Sequence, residues 1–156
     1  MRELEPVGLT PIGTVVGGRS EPVDDHWAGV RADIVIDHRF GEEALAGLEV
    51  FSHLDVVYFF HLVGEPEITT GARHPRGNVD WPRVGIFAQR AKGRPNRLGV
   101  SSCELLGIDG LTIHVAGLDA IDGTPVLDVK PHLAAMGPRG PVREPNWSLE
   151  LMRDYW

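Results

Sequence analysis

The sequence predicts a mainly β protein, a single domain with short helices and long loops. Gly and Pro are frequent, at 19 and 12 of 156 residues, which favours short strands joined by turns over long helices. Several apolar runs alternate with a period of two, as half-buried strands do. Asp109-Gly110 separates two of these runs, and this pair is typical of a hairpin with a type I′ turn.

The strand signals extend along most of the chain. Predicted strands are Gly8–Val16, Val30–Ile36, Phe51–His61, Leu98–Ile108, Leu111–Leu118 and Val126–Val129, with a further short apolar run at Val84–Ala88. Both faces of the run 51–61 are largely apolar, which predicts a central strand. Short helices are predicted over Gly41–Leu48 and Trp147–Trp156. Residues 1–156 then form one domain, with a core at about 9–133 and a C-terminal arm over 134–156, whose aromatic residues should dock on this core or on a second subunit.

Length and composition restrict the class of protein. A chain of 156 residues is long enough for one domain with a real core. No run approaches the length of a membrane span, and the N-terminus lacks the apolar core of a signal peptide. The single cysteine, Cys103, rules out an internal disulfide. We therefore expect a cytoplasmic protein that needs neither a membrane nor a metal.

Charge is segregated along the chain. The net charge is −7, which disfavours a general nucleic-acid binder, yet residues 68–103 hold seven cations and a single acid, Asp80. Such a basic segment in an acidic protein is a plausible surface for phosphates. The alternative is that these arginines pair with acids elsewhere in the fold.

The stretch Val84–Ser101 is read as a strand, a stiff cationic loop and a second strand. Pro95 fixes its own φ and favours an extended Arg94, and Gly93 permits backbone shapes that other residues resist. A loop of this kind holds positive charge in one place for an anionic partner. It is equally compatible with an ordinary surface turn whose arginines are solvated.

Two other motifs carry weaker signals. Gly17-Gly18 resembles the start of a dinucleotide-binding turn, but the full glycine motif and the following helix are missing. The sequence 24–27, Asp-Asp-His-Trp, could suggest a metal, but a turn around a partly buried Trp27 is favoured. His61 stands at the end of a predicted strand, where a side chain can point into a pocket or serve a structural role.

Taken together, four segments resemble the TsaA-like or YaeB-like family, which includes the TrmO tRNA adenine N6-methyltransferases. They are Gly47-Leu-Glu-Val-Phe-Ser-His-Leu54, Arg76-Gly-Asn78, Val84-Gly-Ile-Phe-Ala-Gln-Arg90 with Arg94-Pro-Asn-Arg-Leu-Gly-Val-Ser101, and Leu118-Asp-Ala-Ile-Asp-Gly-Thr-Pro-Val-Leu-Asp-Val-Lys-Pro131. In order and together they are specific, and the resemblance covers about residues 9–133.

The resemblance implies a compact β-barrel-like domain that acts as a homodimer. It implies S-adenosylmethionine held by loops, and methyl transfer to N6 of the threonylcarbamoyl-modified adenosine beside the tRNA anticodon. The cofactor-binding residues that it implies are Phe60, His61, Arg90, Leu98, Asp122, Gly123 and Thr124. The residues assigned to binding the RNA substrate are Arg76, Asn78, Arg94, Asn96, Arg97 and Lys130.

The chemistry of the donor explains why such residues are suited to it. A guanidinium binds the carboxylate of S-adenosylmethionine bidentately, and an Asp accepts from its ribose hydroxyls. Methyl transfer is an in-line displacement, so positioning supplies most of the catalysis. Asp119, Asp122 or neutral His61 could take the proton that N6 loses. An aromatic such as Trp81 or Phe87 could stack on a displaced base.

The sequence also departs from the family pattern. Arg90-Ala91-Lys92 replaces Arg-Ser-Pro, Arg97-Leu98 stands where Pro-Ile is usual, and His132 replaces a Tyr after Lys-Pro. Residues 24–27 replace a glutamine-containing loop. Altered substrate choice is therefore an alternative: a related protein that binds S-adenosylmethionine and acts on another RNA or a small molecule, or a non-catalytic binding module.

Overall fold

Eight strands form most of the regular structure in the computed structural model, which describes residues 2–156. The strands are β1 (Gly13–Val16), β2 (Arg31–Ile36), β3 (His53–Phe59), β4 (Ala72–Arg73), β5 (Val84–Gly85), β6 (Leu98–Asp109), β7 (Thr112–Ala116) and β8 (Pro125–Pro131). Six of them close a barrel in the order β1-β2-β7-β6-β3-β8, with β1 paired to β8. The mainly β, barrel-like prediction is confirmed.

Helical structure is short throughout. The 3₁₀ turns are Glu42–Leu45, Leu48–Val50, Glu65–Glu67, Pro75–Gly77, Ile86–Ala88, Pro95–Arg97 and Ala134–Met136, and one α-helix, α1, covers Asn146–Leu151. The helix predicted over 41–48 is two 3₁₀ turns, because Gly47 adopts a left-handed φ of 85° between them. No helix in the described chain is long and apolar enough to span a bilayer.

The barrel encloses the core. Alternate residues of each strand point inward, and the fully buried side chains include Val15, Ile34, Leu54, Val56, Ile113, Val115 and Val126. The strand β3 is central as predicted, since it pairs with β6 on one side and β8 on the other.

Five strands, β1, β2, β3, β5 and β7, are shorter than the sequence predicts, and the reason is evident for β1 and β5. β1 begins at Gly13 rather than at Gly8, and Pro11, which has no N–H to donate to a ladder, lies just before it. β5 covers only Val84–Gly85, because the chain turns into a 3₁₀ turn at Ile86, whose side chain is buried.

The β6–β7 hairpin is present, but its turn is not type I′. The ladder closes with Asp109 opposite Thr112, so Gly110 and Leu111 are the central residues. Of these two residues, only Gly110 has a positive φ, of 58°. Gly at the first central position is the requirement of a type II′ turn. The prediction of a hairpin at this position is therefore confirmed and the predicted turn type is wrong.

The C-terminal arm docks on the same chain. Backbone N–H groups of His26 and Trp27 donate to the carbonyls of Asp154 and Tyr155 at 2.9 and 2.8 Å. The indole Nε1 of Trp81 donates to Glu150 of α1 at 2.8 Å. Of the two docking partners that the sequence left open, the arm contacts the core of its own chain.

Candidate functional site

The polar side chains converge at one end of the barrel. This end is where β3 finishes, β6 begins and β8 begins, since Phe59 pairs with Leu98 and Tyr58 with Val126. The chain leaves β3 through Phe60 and His61, and it enters β8 through the loop 118–124. Strand pairing thus places segments that are far apart in sequence beside one another.

His61 and Gly123 lie side by side at this end. A Cβ built on Gly123 would be 3.6 Å from His61 Nε2. Gly123 is exposed and has a φ of 83°, and its N–H donates to the carbonyl of Val15 at 2.8 Å. The next residue, Thr124, is buried, and its carbonyl accepts from the Val15 N–H. Two parts of the predicted cofactor set are therefore neighbours.

Phe60 and Leu98 are half-buried beside this pair. The Phe60 ring meets the Tyr58 ring edge-on, with centroids 5.5 Å apart. Leu98 is the first residue of β6, and Gly99 follows it under both rings. This gives the polar end of the barrel an apolar patch of aromatic rings.

Asp119 is the centre of a hydroxyl cluster. The Tyr58 hydroxyl donates to its Oδ1 at 2.9 Å, and Ser101 Oγ donates to the same oxygen. The Tyr155 hydroxyl, from the C-terminal arm, donates to Oδ2. Both carboxylate oxygens of Asp119 are thus occupied by hydroxyl donors.

The same cluster changes the acidity of both tyrosines. Burial raises the pKa of Tyr58, and the charge of Asp119 raises it further. Burial and Asp119 also raise the pKa of Tyr155, while the charges of Arg90 and Arg76 act in the opposite direction. Both phenols are therefore neutral donors at physiological pH, with two guanidinium groups close to Tyr155.

Arg90 and Asp122 complete the predicted cofactor set. One guanidinium nitrogen of Arg90 donates to the Val100 carbonyl at 2.5 Å, which fixes the side chain on β6. Asp122 is exposed, and its Oδ1 accepts from the Gly17 N–H at 2.7 Å. Its own N–H donates to the Arg19 carbonyl at 2.7 Å. The Asp122 side chain therefore holds the turn after β1 and keeps one oxygen open.

The cationic loop is held together by its own arginines. Arg94 donates to the Gln89 carbonyl at 2.6 Å. Arg97 donates to the Val63 carbonyl at 2.6 Å, and its guanidinium lies 4.7 Å from the Phe59 ring centroid. Both side chains bind backbone carbonyls, so pairing with acids elsewhere in the fold does not describe these two arginines.

The remaining predicted RNA-binding residues are dispersed. Arg76 forms an ion pair with Asp25 at 2.8 Å, as one of the alternatives expects. Asn96 is exposed with a φ of 64°, while Asn78 accepts from the Asp80 N–H. Lys130 pairs with Asp128 at 2.7 Å and lies opposite Asp55, about 16 Å along β8 from the polar end of the barrel. The structure does not bring Lys130 to the other candidates.

The loop 24–27 has a structural explanation. Trp27 is 3% exposed, and the guanidinium of Arg19 lies 4.5 Å from its ring centroid. Arg19 also donates to the carbonyls of Asp25 and His26. No group of three or more His, Cys, Asp and Glu is placed to hold a metal within residues 2–156.

Tyr58, Ser101 and Tyr155 are functional candidates that sequence reasoning missed. The alternation of β3 places Tyr58 on the buried face with Leu54 and Val56. A buried tyrosine hydroxyl needs a hydrogen-bond partner. On that ground, the sequence alone could have indicated a polar partner for Tyr58. Nothing in the sequence indicates that Tyr155 reaches the same carboxylate.

The fold and site define a small β-barrel protein whose polar site is made by loops at one end of the barrel. Residues 21–137 match the family model described as tRNA-methyltransferase O N-terminal domain. The chain belongs to this family.

Named relatives and solved structures agree with this assignment. The chain is 38% identical to the Homo sapiens tRNA (adenine(37)-N6)-methyltransferase over 72% of its length and 25% of that protein's. It is 36% identical to a probable S-adenosyl-L-methionine-binding protein of Methanothermobacter thermautotrophicus, over 85% of this chain and 93% of that one. The crystal structure of TrmO from Pseudomonas aeruginosa superposes with a TM-score of 0.72 at 28% identity, covering 89% of this chain and 62% of that one.

The chain spans only part of the curated methyltransferases. It covers 25% of the human protein and 40% of the Escherichia coli tRNA (adenine(37)-N6)-methyltransferase, to which it is 41% identical.

Proposed function

We propose that this protein is an S-adenosylmethionine-dependent methyltransferase that modifies N6 of the threonylcarbamoyl-modified adenosine next to the tRNA anticodon. The observation that carries the proposal is the convergence of His61, Gly123 and Phe60 at one end of the barrel, with Arg90 near the Asp119 cluster. Membership of the family and the methyltransferase relatives named above support it.

The side chains at this end fit such a donor molecule. Arg90 uses one guanidinium nitrogen on Val100, so further N–H groups remain for a carboxylate. The open oxygen of Asp122 can accept from ribose hydroxyls. Phe60 offers an apolar ring surface, and Gly123, which has no Cβ, lets a ligand approach its backbone.

Two of the three proposed proton acceptors are better placed than the third. When bound, S-adenosylmethionine supplies an electrophilic methyl group on a positive sulfonium. Asp119 accepts hydrogen bonds from three hydroxyls, so both of its oxygens are already occupied. His61 Nε2 faces Gly123, and Asp122 keeps one oxygen open. We therefore favour His61 or Asp122 as the acceptor, and a positioning role for Asp119.

Two assays test the proposal. Isothermal titration measures S-adenosylmethionine binding, and transfer of a labelled methyl group to bulk tRNA measures activity, with a small-molecule extract as the competing acceptor. Arg90→Ala should lose at least tenfold in donor affinity, because a charge-assisted bidentate contact contributes roughly 1.5–3 kcal/mol. The matched control is Arg139→Ala, an exposed arginine of the arm, which should bind normally. Normal donor affinity in Arg90→Ala would reject the assigned site.

The alternative is a homologue that binds S-adenosylmethionine and acts on another RNA or a small molecule, or that binds without catalysis. The relative from Methanothermobacter thermautotrophicus favours it, because the two chains match over nearly their full lengths and its name states binding alone. Donor binding without label in tRNA would select this alternative.

The homodimer, implied by the resemblance, and the cytoplasmic location, expected from length and composition, remain predictions. Light scattering on a sizing column tests the dimer, and a mass of 17.1 kDa would contradict it.

A further inference from the structure

A concave site lies where the C-terminal helix meets the loop before β5. This Trp cleft has a volume of about 480 Å³ and is lined by Asn78, Asp80, Trp81, Pro82, Asn146, Trp147, Glu150 and Arg153. That volume is within the range of small-molecule sites in proteins. Half of the lining comes from residues 146–153, which lie outside the segment that matches the family model.

The wall around Trp81 is held in place before any ligand arrives. Its indole Nε1 donates to Glu150 at 2.8 Å, and its carbonyl contacts His74 Nδ1 at 2.7 Å. The Trp81 N–H donates to the Asn78 carbonyl. On the other wall, Ser148 Oγ bonds Glu144 and the Pro145 carbonyl, which fixes the start of α1 beside Trp147. Both indoles are half-buried, so each has an accessible part.

The chemistry of the lining selects the kind of ligand. Indole rings stack on flat heteroaromatic groups, and the amides of Asn78 and Asn146 can donate to or accept from the edge of one. Asp80 and Glu150 disfavour a phosphate inside the cleft, and their oxygens accept from exocyclic amino groups. Arg153 disfavours a cationic ligand and suits a backbone phosphate at the rim.

We propose that the Trp cleft binds an unpaired nucleobase of the RNA substrate, next to the base that enters the polar end of the barrel. This inference rests on the proposed function. The distance supports it: Glu150 in the cleft and Tyr155 on Asp119 are five residues apart, so their Cα atoms are at most about 17 Å apart. That span is a few nucleotides of a stacked strand, at roughly 3.4 Å each.

The test compares variants of Trp147 on the full chain. Anisotropy measures affinity for a fluorescein-labelled tRNA anticodon stem-loop that carries the threonylcarbamoyl-modified adenosine, and labelled methyl transfer measures kcat and KM. Trp147→Leu should lose affinity roughly tenfold and raise KM with little change in kcat, because a stacking contact is lost. Trp147→Phe should keep most of the affinity. Leu149→Ala, which changes an exposed residue of α1 outside the cleft, is the matched control.

Abasic RNAs make the test independent of folding. With the target adenosine kept intact, removal of one other unpaired base at a time should weaken binding to the wild-type protein roughly tenfold at a single position. With the RNA that lacks this base, Trp147→Leu should cause no further loss of affinity. If Trp147→Leu binds intact RNA like the wild type, or if its loss persists with every abasic RNA, the inference is wrong. The fluorescence of the two indoles gives a further check. If a peptide that carries a quaternary ammonium group quenches this fluorescence and RNA does not, the inference is also wrong.

The outcomes separate the two proposals. RNA that binds through Trp147 but receives no methyl group would reject the proposed function and keep the cleft. Methyl transfer that is indifferent to Trp147 would reject the cleft and keep the function. A wild-type protein that binds no RNA would reject both.

Discussion

Gly99 is the position where one added methyl group should damage both the fold and the site. It lies on β6 opposite Tyr58 of β3. A Cβ there would be 2.4 Å from Cε2 and 2.6 Å from Cζ of the Tyr58 ring, and 3.0 Å from Phe60. The ring cannot stay in place at such distances. Gly99→Ala therefore forces Tyr58 to move, although its hydroxyl is a donor to Asp119.

The expected loss of stability has two parts. Overpacking of a tight interior costs roughly 1–3 kcal/mol. Displacement of the Tyr58 hydroxyl loses a hydrogen bond worth about 1 kcal/mol. The free energy of unfolding should therefore fall by about 2–4 kcal/mol in urea titrations. In a domain of this size each kcal/mol lowers Tm by roughly 2–4 °C.

A second glycine of the same strand provides the control. Gly107 is also in β6, and a Cβ built on it meets nothing within 4 Å. Gly107→Ala should leave the free energy of unfolding unchanged within about 0.5 kcal/mol. The double variant Gly99→Ala with Tyr58→Leu should have a higher free energy of unfolding than Gly99→Ala alone, because the clashing ring is gone. Equal stability of Gly99→Ala and Gly107→Ala would refute the steric argument.

Three further predictions concern titration and charge. Because burial raises the pKa of Tyr58, the unfolded chain releases the phenolic proton at a lower pH than the folded chain. The contribution of Tyr58 to the free energy of unfolding is therefore complete below pH 10. Above pH 10 it declines by up to about 1.4 kcal/mol per pH unit. In Tyr58→Phe, the free energy of unfolding should fall less steeply with pH above pH 10, by the equivalent of about one proton. An unchanged slope would contradict this. Burial also raises the pKa of Cys103 to about 12, with Asp119 and Asp55 adding to the shift, so iodoacetamide should label it only in denaturant; rapid labelling of the native protein would be the opposite result. RNA affinity should fall steeply between low and moderate salt, and a flat response would remove the phosphate contacts from the proposal.

Local sequence determined the strands and the hairpin. The run 51–61 predicts a central strand because both of its faces are apolar, and Asp109-Gly110 marks the reversal because Gly110 can adopt a positive φ. The turn type was not predictable in the same way. It depends on where the ladder between β6 and β7 ends, and pairing across strands sets that point.

The candidate cofactor set came from the resemblance to the family, which rests on motifs whose order in the sequence is specific. Only tertiary structure decided that His61 lies beside Gly123 and that Asp119 collects hydroxyls from β3, β6 and the C-terminal arm. It also decided that Arg94 and Arg97 brace their loop through backbone carbonyls. The physical reason is that alternation and turn chemistry act between neighbours in sequence. Closure of the barrel and docking of the arm instead bring together residues 18 to 105 positions apart, and no local pattern records those partners.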